Sequence, residues 1–165
     1  MERNGGHMGE IEPRTLPRWD DLPDFDLYMD QVISLMERYL GAPASPADKG
    51  LTASMVNNYV KTGMVPAPTK KRYGRLQLAC LIVICALKTV LPLSVIKEIL
   101  GDKLGHDDAP ELYDRFCERF EAAEQEAVRA IHSQADADDP ATSVVVAALT
   151  AQARRNVALA RWDKE

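Results

Sequence analysis

Apolar residues recur in blocks along the 165-residue chain, and the spacing within each block predicts its structure. From Phe25 onward, Leu27, Val32, Leu35, Met36, Tyr39 and Leu40 follow a helical stripe, with Asp24 or Asp26 placed to cap it. Gly41-Ala42-Pro43 stops that helix, because glycine accepts the left-handed terminal conformation and proline cannot continue a helix. Ala42 to Gly50, rich in Pro, Ser and Asp, reads as a connector. A second helix is expected to start at Leu51-Thr52, with Thr52 as N-cap, and to end at Gly63. At about 100° per residue, Met55, Val56, Tyr59 and Val60 share one side of it, while Ser54, Asn57, Asn58 and Lys61 share the other. Pro66 and Pro68 exclude a helix between Met64 and Tyr73, which reads as two short extended arms around a basic tip, a small β-hairpin wing.

Gly74-Arg75 opens a third helix running to about Thr89. Only Arg75, Gln77, Lys88 and Thr89 are polar in it, so it is expected to be the hub of the core. Pro92 marks a turn, Ser94 is placed to cap a short helix carrying Val95, Ile96, Ile99 and Leu100, and Gly101 is expected to end it. Beyond an acidic loop at His106-Asp107-Asp108, Pro110 opens a helix whose Leu112, Phe116, Phe120, Ala123, Ala127 and Ile131 form one stripe. Asp136 to Asp139 breaks it, and Pro140 suits the first turn of a last helix with Val146, Leu149, Ala153, Val157 and Ala160 on one face. Two such stripes need cover from each other, from the rest of the chain or from a second subunit. The fold class is therefore mainly α.

Composition removes several function classes. With 46% hydrophobic and 27% charged residues, the chain belongs with globular proteins and not with disordered ones. Cys80, Cys85 and Cys117 are too few for a four-cysteine zinc site and lack a C-x-x-C spacing, so they read as reduced, packed thiols. The longest apolar run, Leu78 to Leu87, is about half of the roughly 20 residues a membrane span needs. MERNGGHMGE contains no apolar signal core, so a cytoplasmic location is expected, with no membrane partner. His7, His106 and His132 stand alone, and neither a Gly-rich phosphate loop nor a G-x-S-x-G motif occurs. We therefore expect no enzyme, no cofactor and no metal.

Charge adds the most. The net charge of −5 argues at first against nucleic acid as a partner. Divided along the chain, the acids are absent from residues 51–97, which carry Lys61, Lys70, Lys71, Arg72, Arg75, Lys88 and Lys97. Residues 1–50 hold 10 acids and 5 bases, and residues 98–165 hold 15 acids and 8 bases. The acid-free run coincides with the polar-faced helix, the basic hairpin and the hub helix. Asparagine on a helix can bond adenine bidentately in a major groove, and a Lys/Arg-bearing arm can lie along phosphates. Four or five phosphate contacts would give log affinity a slope near −4 against log salt, at about −0.9 per phosphate.

The stretch Thr52-Ala-Ser-Met-Val-Asn-Asn-Tyr-Val-Lys-Thr-Gly-Met-Val-Pro66 resembles the recognition helix and exit of MerR-type winged helix-turn-helix regulators. Lys70-Lys-Arg-Tyr-Gly-Arg75, the apolar helix and Pro92-Leu-Ser-Val-Ile-Lys-Glu-Ile-Leu100 are similar, in order, to that fold's wing, third helix and fourth helix. The pairing of Leu22-Pro-Asp-Phe-Asp-Leu-Tyr-Met-Asp-Gln-Val32 with Asn57-Asn-Tyr-Val-Lys61 is similar to a bacterial family of unknown function carrying this domain. Asn57-Asn58 stands where MerR-type proteins typically carry Arg-Tyr, which implies a weaker phosphate grip by the helix and more reliance on the wing. Gly, Pro and charge without periodicity predict a flexible tail at 1–18, and the two apolar stripes a helical region at 107–165 for dimerisation or docking. The resemblance, which covers about residues 16–101, implies a MerR-like winged helix-turn-helix domain at 19–101.

It also implies a cytoplasmic, sequence-specific DNA-binding transcriptional regulator, acting on double-stranded DNA as a homodimer. The expected DNA-binding residues are Ser54, Asn57, Asn58, Lys61, Lys70, Lys71, Arg72, Tyr73 and Arg75, with helix 52–62 in the major groove and wing 66–73 on phosphates. The alternative is a protein–protein interaction module using the same basic winged-helix surface, since carboxylates attract the same cations. Asp107-Asp108 and similar acid pairs read as solvated loop residues.

Overall fold

The computed structural model describes residues 12–41, 50–103, 108–134 and 139–162. Most of the tail and of the connector, His106 and Asp107 of the acidic loop, and Asp136 to Asp138 of the expected break lie outside the described residues. Helices dominate the rest: α1 (Met29–Leu40), α2 (Ala53–Lys61), α3 (Arg75–Leu87), α4 (Leu93–Lys103), α5 (Ala109–Gln134) and α6 (Pro140–Trp162). One 3-10 turn, Trp19–Asp21, precedes them.

α1 begins later than Phe25, and neither Asp24 nor Asp26 caps it. Residues before it are drawn into a backbone pairing, in which Leu27 and Tyr73 exchange two N–H···O bonds of 2.9 Å. Tyr28 becomes the N-cap, its N–H donating to Gln31 Oε1 at 2.9 Å. Gly41, at φ +75°, closes α1 where the sequence put the stop. α4 behaves differently: Pro92 supplies the first carbonyl, accepting from Ile96 N at 3.2 Å, so Ser94 is the helix's second residue and not its cap. The helix also passes through Gly101, because a mid-helix glycine costs only about 1 kcal/mol and the burial of Ile96 and Leu100 outweighs it.

The expected two-armed hairpin does not form a ladder. Among the described residues only single antiparallel bridges occur, Thr69 with Arg72 and Leu27 with Tyr73. Pro66 and Pro68 have no N–H to donate, so the incoming arm cannot sustain strand pairing.

Two compact units divide the chain, Leu16–Glu118 and residues 1–15 with 119–165. In the first, seven consecutive residues of α3, Leu78 to Ile84, are buried, and α1 and α4 pack on that helix. Val32 and Met36 from α1, Val56 and Tyr59 from α2, Ile96 and Leu100 from α4 complete the centre. The unit begins before Trp19 and takes in the first turns of α5. Tyr113 is fully buried, donates from its hydroxyl to Pro17 O at 2.9 Å and meets the Trp19 ring edge-on at 6.2 Å. Trp19 N–H donates to Asp114 Oδ1 at 2.7 Å, and Arg18 Nη1 to the Asp114 carbonyl at 3.0 Å. Burial pushes the Tyr113 phenol well above its usual range.

The second unit is thinner. Arg14 donates to Glu124 Oε1 at 2.6 Å and stands 5.4 Å from the Phe120 ring centroid. Arg154 pairs with Glu126 at 3.3 Å. α6 starts with Asp139 accepting from Ala141 N and Thr142 N, and it buries no residue. Of its expected apolar face, Leu149 is 59% and Val157 73% exposed.

Candidate functional site

α2 is built to show one face. Thr52 Oγ1 accepts from Met55 N at 3.2 Å, satisfying an amide that the first helical turn leaves unpaired. Val56 and Tyr59 are buried, which fixes the rotation of the helix and leaves Ser54, Asn57, Asn58 and Lys61 exposed. The C-terminus is equally determined. Thr62 N–H donates to Asn58 O at 2.9 Å, while Met64 N and Val65 N both donate to Tyr59 O. Gly63 sits at φ +76°, where a side chain would be strained.

The segment after α2 is clasped by the side chain of Gln77. Its Oε1 accepts from Gly74 N at 3.0 Å and its Nε2 donates to Ala67 O at 3.5 Å, tying the two arms together near their base. At the tip, Arg72 N–H donates to Thr69 O at 2.9 Å, closing a two-residue turn on Lys70 and Lys71. Those two lysines have φ of +50° and +61°, and they are the non-glycine residues with positive φ among the described ones. Positive φ at both central positions is the signature of a type I′ turn. Both lysines are exposed, and no ion-pair partner accompanies them or Lys61 among the described residues.

Arg72, Arg75 and Lys88 each have a partner, whereas Lys97 on α4 is exposed with no ion-pair partner among the described residues. Arg72 donates to the Tyr28 hydroxyl at 2.7 Å, and its guanidinium carbon lies 4.7 Å from the centroid of that ring. It is exposed, and five donors leave it capacity beyond Tyr28. Arg75 is committed to the chain's own beginning: Nε donates to Leu22 O at 3.1 Å and Nη1 lies 3.5 Å from Asp20 Oδ1. Tyr73 points inward and is 3% exposed, with burial raising its phenol pKa. Tyr73 and Arg75 therefore do not join the exposed set, because each closes contacts that hold the segment to the unit. Lys88 has a bonding partner of its own.

Space also redistributes the charge read along the chain. The run without acids in sequence has acids beside it in the fold: Asp20 reaches Arg75, and Asp26 Oδ1 lies 3.0 Å from where a Cβ on Gly74 would stand. What remains open is a smaller set, Lys61, Lys70, Lys71 and Arg72 around α2 and the turn, with Lys97 exposed on α4. Sequence reasoning missed Tyr28 as the partner of Arg72. The available signal was the motif Leu22 to Val32, in which Phe25 and Tyr28 both turn out exposed, at 62% and 50%.

Other chemistry is sparse. Among the described residues, no three His, Cys, Asp or Glu side chains gather as a metal site, and no helix is long and apolar enough to cross a membrane. Cys80 is buried and its thiol is pushed up to about 12 by that burial. Cys117 is buried, its Sγ 3.5 Å from Pro17 O.

No curated protein and no solved structure matches the chain. One family does, over residues 17–116, nearly the span of the first compact unit and inclusive of every candidate residue named above. By that match, which covers more than half of its length, the chain belongs to the family described as Domain of unknown function (DUF1836).

Proposed function

We propose that this chain is a MerR-like winged helix-turn-helix regulator of transcription that binds double-stranded DNA in a sequence-dependent way. The observation that carries the reading is the combination of an exposed amide-bearing face on α2 with unpaired lysines at 61, 70 and 71. α2 enters the major groove, where Asn57 and Asn58 bond base edges and Ser54 meets a base or phosphate. The 66–73 segment acts as a reduced wing, with Lys70, Lys71 and Arg72 on the phosphate backbone. A single module of this size holds one half-site, so the working form is a homodimer on a two-fold related site. Binding, and no chemical transformation, is the activity.

Three unpaired lysines with Arg72 as a fourth cation give a salt slope of about −3.6, at about −0.9 per phosphate, shallower than all seven cations of the basic run would. The test is selection of bound sequences from a random duplex pool, followed by titration at two salt concentrations. An enriched sequence motif with affinity falling steeply in salt supports the reading. Asn57→Ala is then expected to flatten the sequence preference while leaving affinity for arbitrary duplex nearly intact. Recovery of no motif, with binding that survives Lys70→Ala, Lys71→Ala and Arg72→Ala together, overturns it and leaves an acidic protein surface as the partner of these cations.

A further inference from the structure

The motif Leu22 to Val32 contains an aromatic residue that neither the core nor the proposed DNA surface employs. Its anchors are Leu22 and Leu27, 1% and 5% exposed. Between them Asp24, Phe25 and Asp26 are all exposed, and Phe25 reaches 62%. Both ends of this loop are pinned. Arg75 Nε donates to Leu22 O at 3.1 Å, and Leu27 exchanges two bonds of 2.9 Å with Tyr73. Pro23 fixes one further backbone dihedral. The Phe25 ring is thus carried on a short, preorganised projection and not on a free arm.

A lone exposed apolar side chain is ordinary on a protein surface. Here two aromatic rings, Phe25 and the half-exposed Tyr28, follow one another within four residues, and Arg72 holds the second in place. Rings fixed in this way supply large contact area at little cost in conformational entropy, which is why aromatic residues concentrate at protein interfaces. Charge decides what can cover them. Asp24 and Asp26 flank Phe25 in sequence, and Asp30 follows in the first turn of α1. All three are exposed and have no ion-pair partner among the described residues. Free carboxylates repel phosphate, so neither a DNA backbone nor an anionic membrane suits this patch. Because Phe25 projects, its occupant is concave and supplies an apolar pocket; because the carboxylates are unpaired, the rim of that pocket is basic.

We propose that the Asp24-Phe25-Asp26 loop is a docking knob for another protein, one that presents an apolar pocket rimmed by lysine or arginine. This surface is separate from the basic α2 face and turn, and it stands whether or not those bind DNA. Phe25 fills the pocket, while Asp24 and Asp26 meet its rim and steer the approach.

The experiment introduces Phe25→p-benzoyl-phenylalanine into the full chain, irradiates the cells that make it, and identifies the crosslinked molecule by mass spectrometry. That protein is then purified and titrated against the parent, Phe25→Ala, Phe25→Tyr and Asp24→Asn/Asp26→Asn. The expected crosslink joins position 25 to one other protein, at a peptide beside lysine or arginine. Phe25→Ala should weaken the complex about 30-fold or more, and Phe25→Tyr should restore most of it. The Asn/Asn variant should bind more weakly and respond less to salt than the parent. Because Phe25 is largely exposed, Phe25→Ala should melt with the parent and keep in full any duplex binding the parent has. A crosslink to DNA or to a second copy of this chain overturns the proposal, as does the absence of any crosslinked protein. So does a captured protein whose affinity survives Phe25→Ala or is indifferent to salt.

Discussion

Arg14 and Glu124 are joined across most of the chain by a charge-assisted bond of 2.6 Å, with the Arg14 amide adding a second contact at 3.4 Å. The hydrogen bond from Arg14 holds the Glu124 carboxyl below its ordinary range, against an opposing push from partial burial. The sign follows from that direction. A carboxyl whose folded pKa is depressed contributes stability that is present above its unfolded value, near 4.3, and is lost as pH falls through the folded one. Arg14 is 63% exposed, so solvent screening keeps the contribution below about 1 kcal/mol. Glu124→Gln is therefore expected to lower the unfolding free energy slightly at pH 6, with the gap to the parent closing by about pH 3. Urea denaturation at both pH values measures it; a gap that persists at pH 3 would mean the charge is not what binds residue 14 to the helix.

α2 shows which parts of an element a sequence discloses. Thr52 as cap, Gly63 as stop and the division between Val56, Tyr59 and Ser54, Asn57, Asn58, Lys61 were all legible, because each depends on local backbone chemistry and a 3.6-residue period. The onset of α1 was not. It depends on Leu27 pairing with Tyr73, a contact between residues far apart in the chain, and no local cap signal at Asp24 or Asp26 competes with two backbone bonds. The site divides in the same way. Exposure of the α2 face followed from periodicity, whereas the inward turn of Tyr73 and the bonding of Arg75 to Leu22 and Asp20 depend on where the first residues of the unit lie. Charge counted along the chain missed them because acids far back in the sequence, Asp20 and Asp26, fold beside the base of the wing. The legible part is testable directly. Thr52→Ala leaves the Met55 amide without its acceptor and is expected to cost about 1 kcal/mol, while Thr52→Ser keeps the oxygen and restores most of it. Guanidinium denaturation of the three chains distinguishes this from a Thr52 that merely packs: in that case serine would fare no better than alanine.

At the scale of the molecule, α6 is the element whose sequence and surroundings disagree. Val146, Leu149, Ala153, Val157 and Ala160 fall within one face at the helical period, yet no residue of α6 is buried. An isolated helix gains little from such a face unless it is covered. Charge indicates the cover. α6 holds Arg154, Arg155 and Arg161 with no acid, while the later part of α5 carries Glu126 beside Glu124, which Arg14 already holds. Arg154 pairs with Glu126 between these helices, and both side chains stay largely exposed, at 71% and 63%. A second copy of the chain supplies both requirements at once, because a two-fold arrangement brings the acidic helix of each protomer to the basic, apolar helix of the other. We therefore expect the protein to associate with itself in a concentration-dependent way. Leu149→Glu with Val157→Glu should shift it to monomer, since two buried carboxylates on that face would have to be desolvated without partners. Analytical ultracentrifugation reads the change, and circular dichroism checks that the α3-centred unit still melts cooperatively. If the parent stays monomeric at every concentration, or the double variant associates as strongly as the parent, the α6 face is not the interface. A monomer would also leave only one α2 per molecule, so the same substitutions should reduce affinity for a two-fold DNA site while sparing that for a half-site.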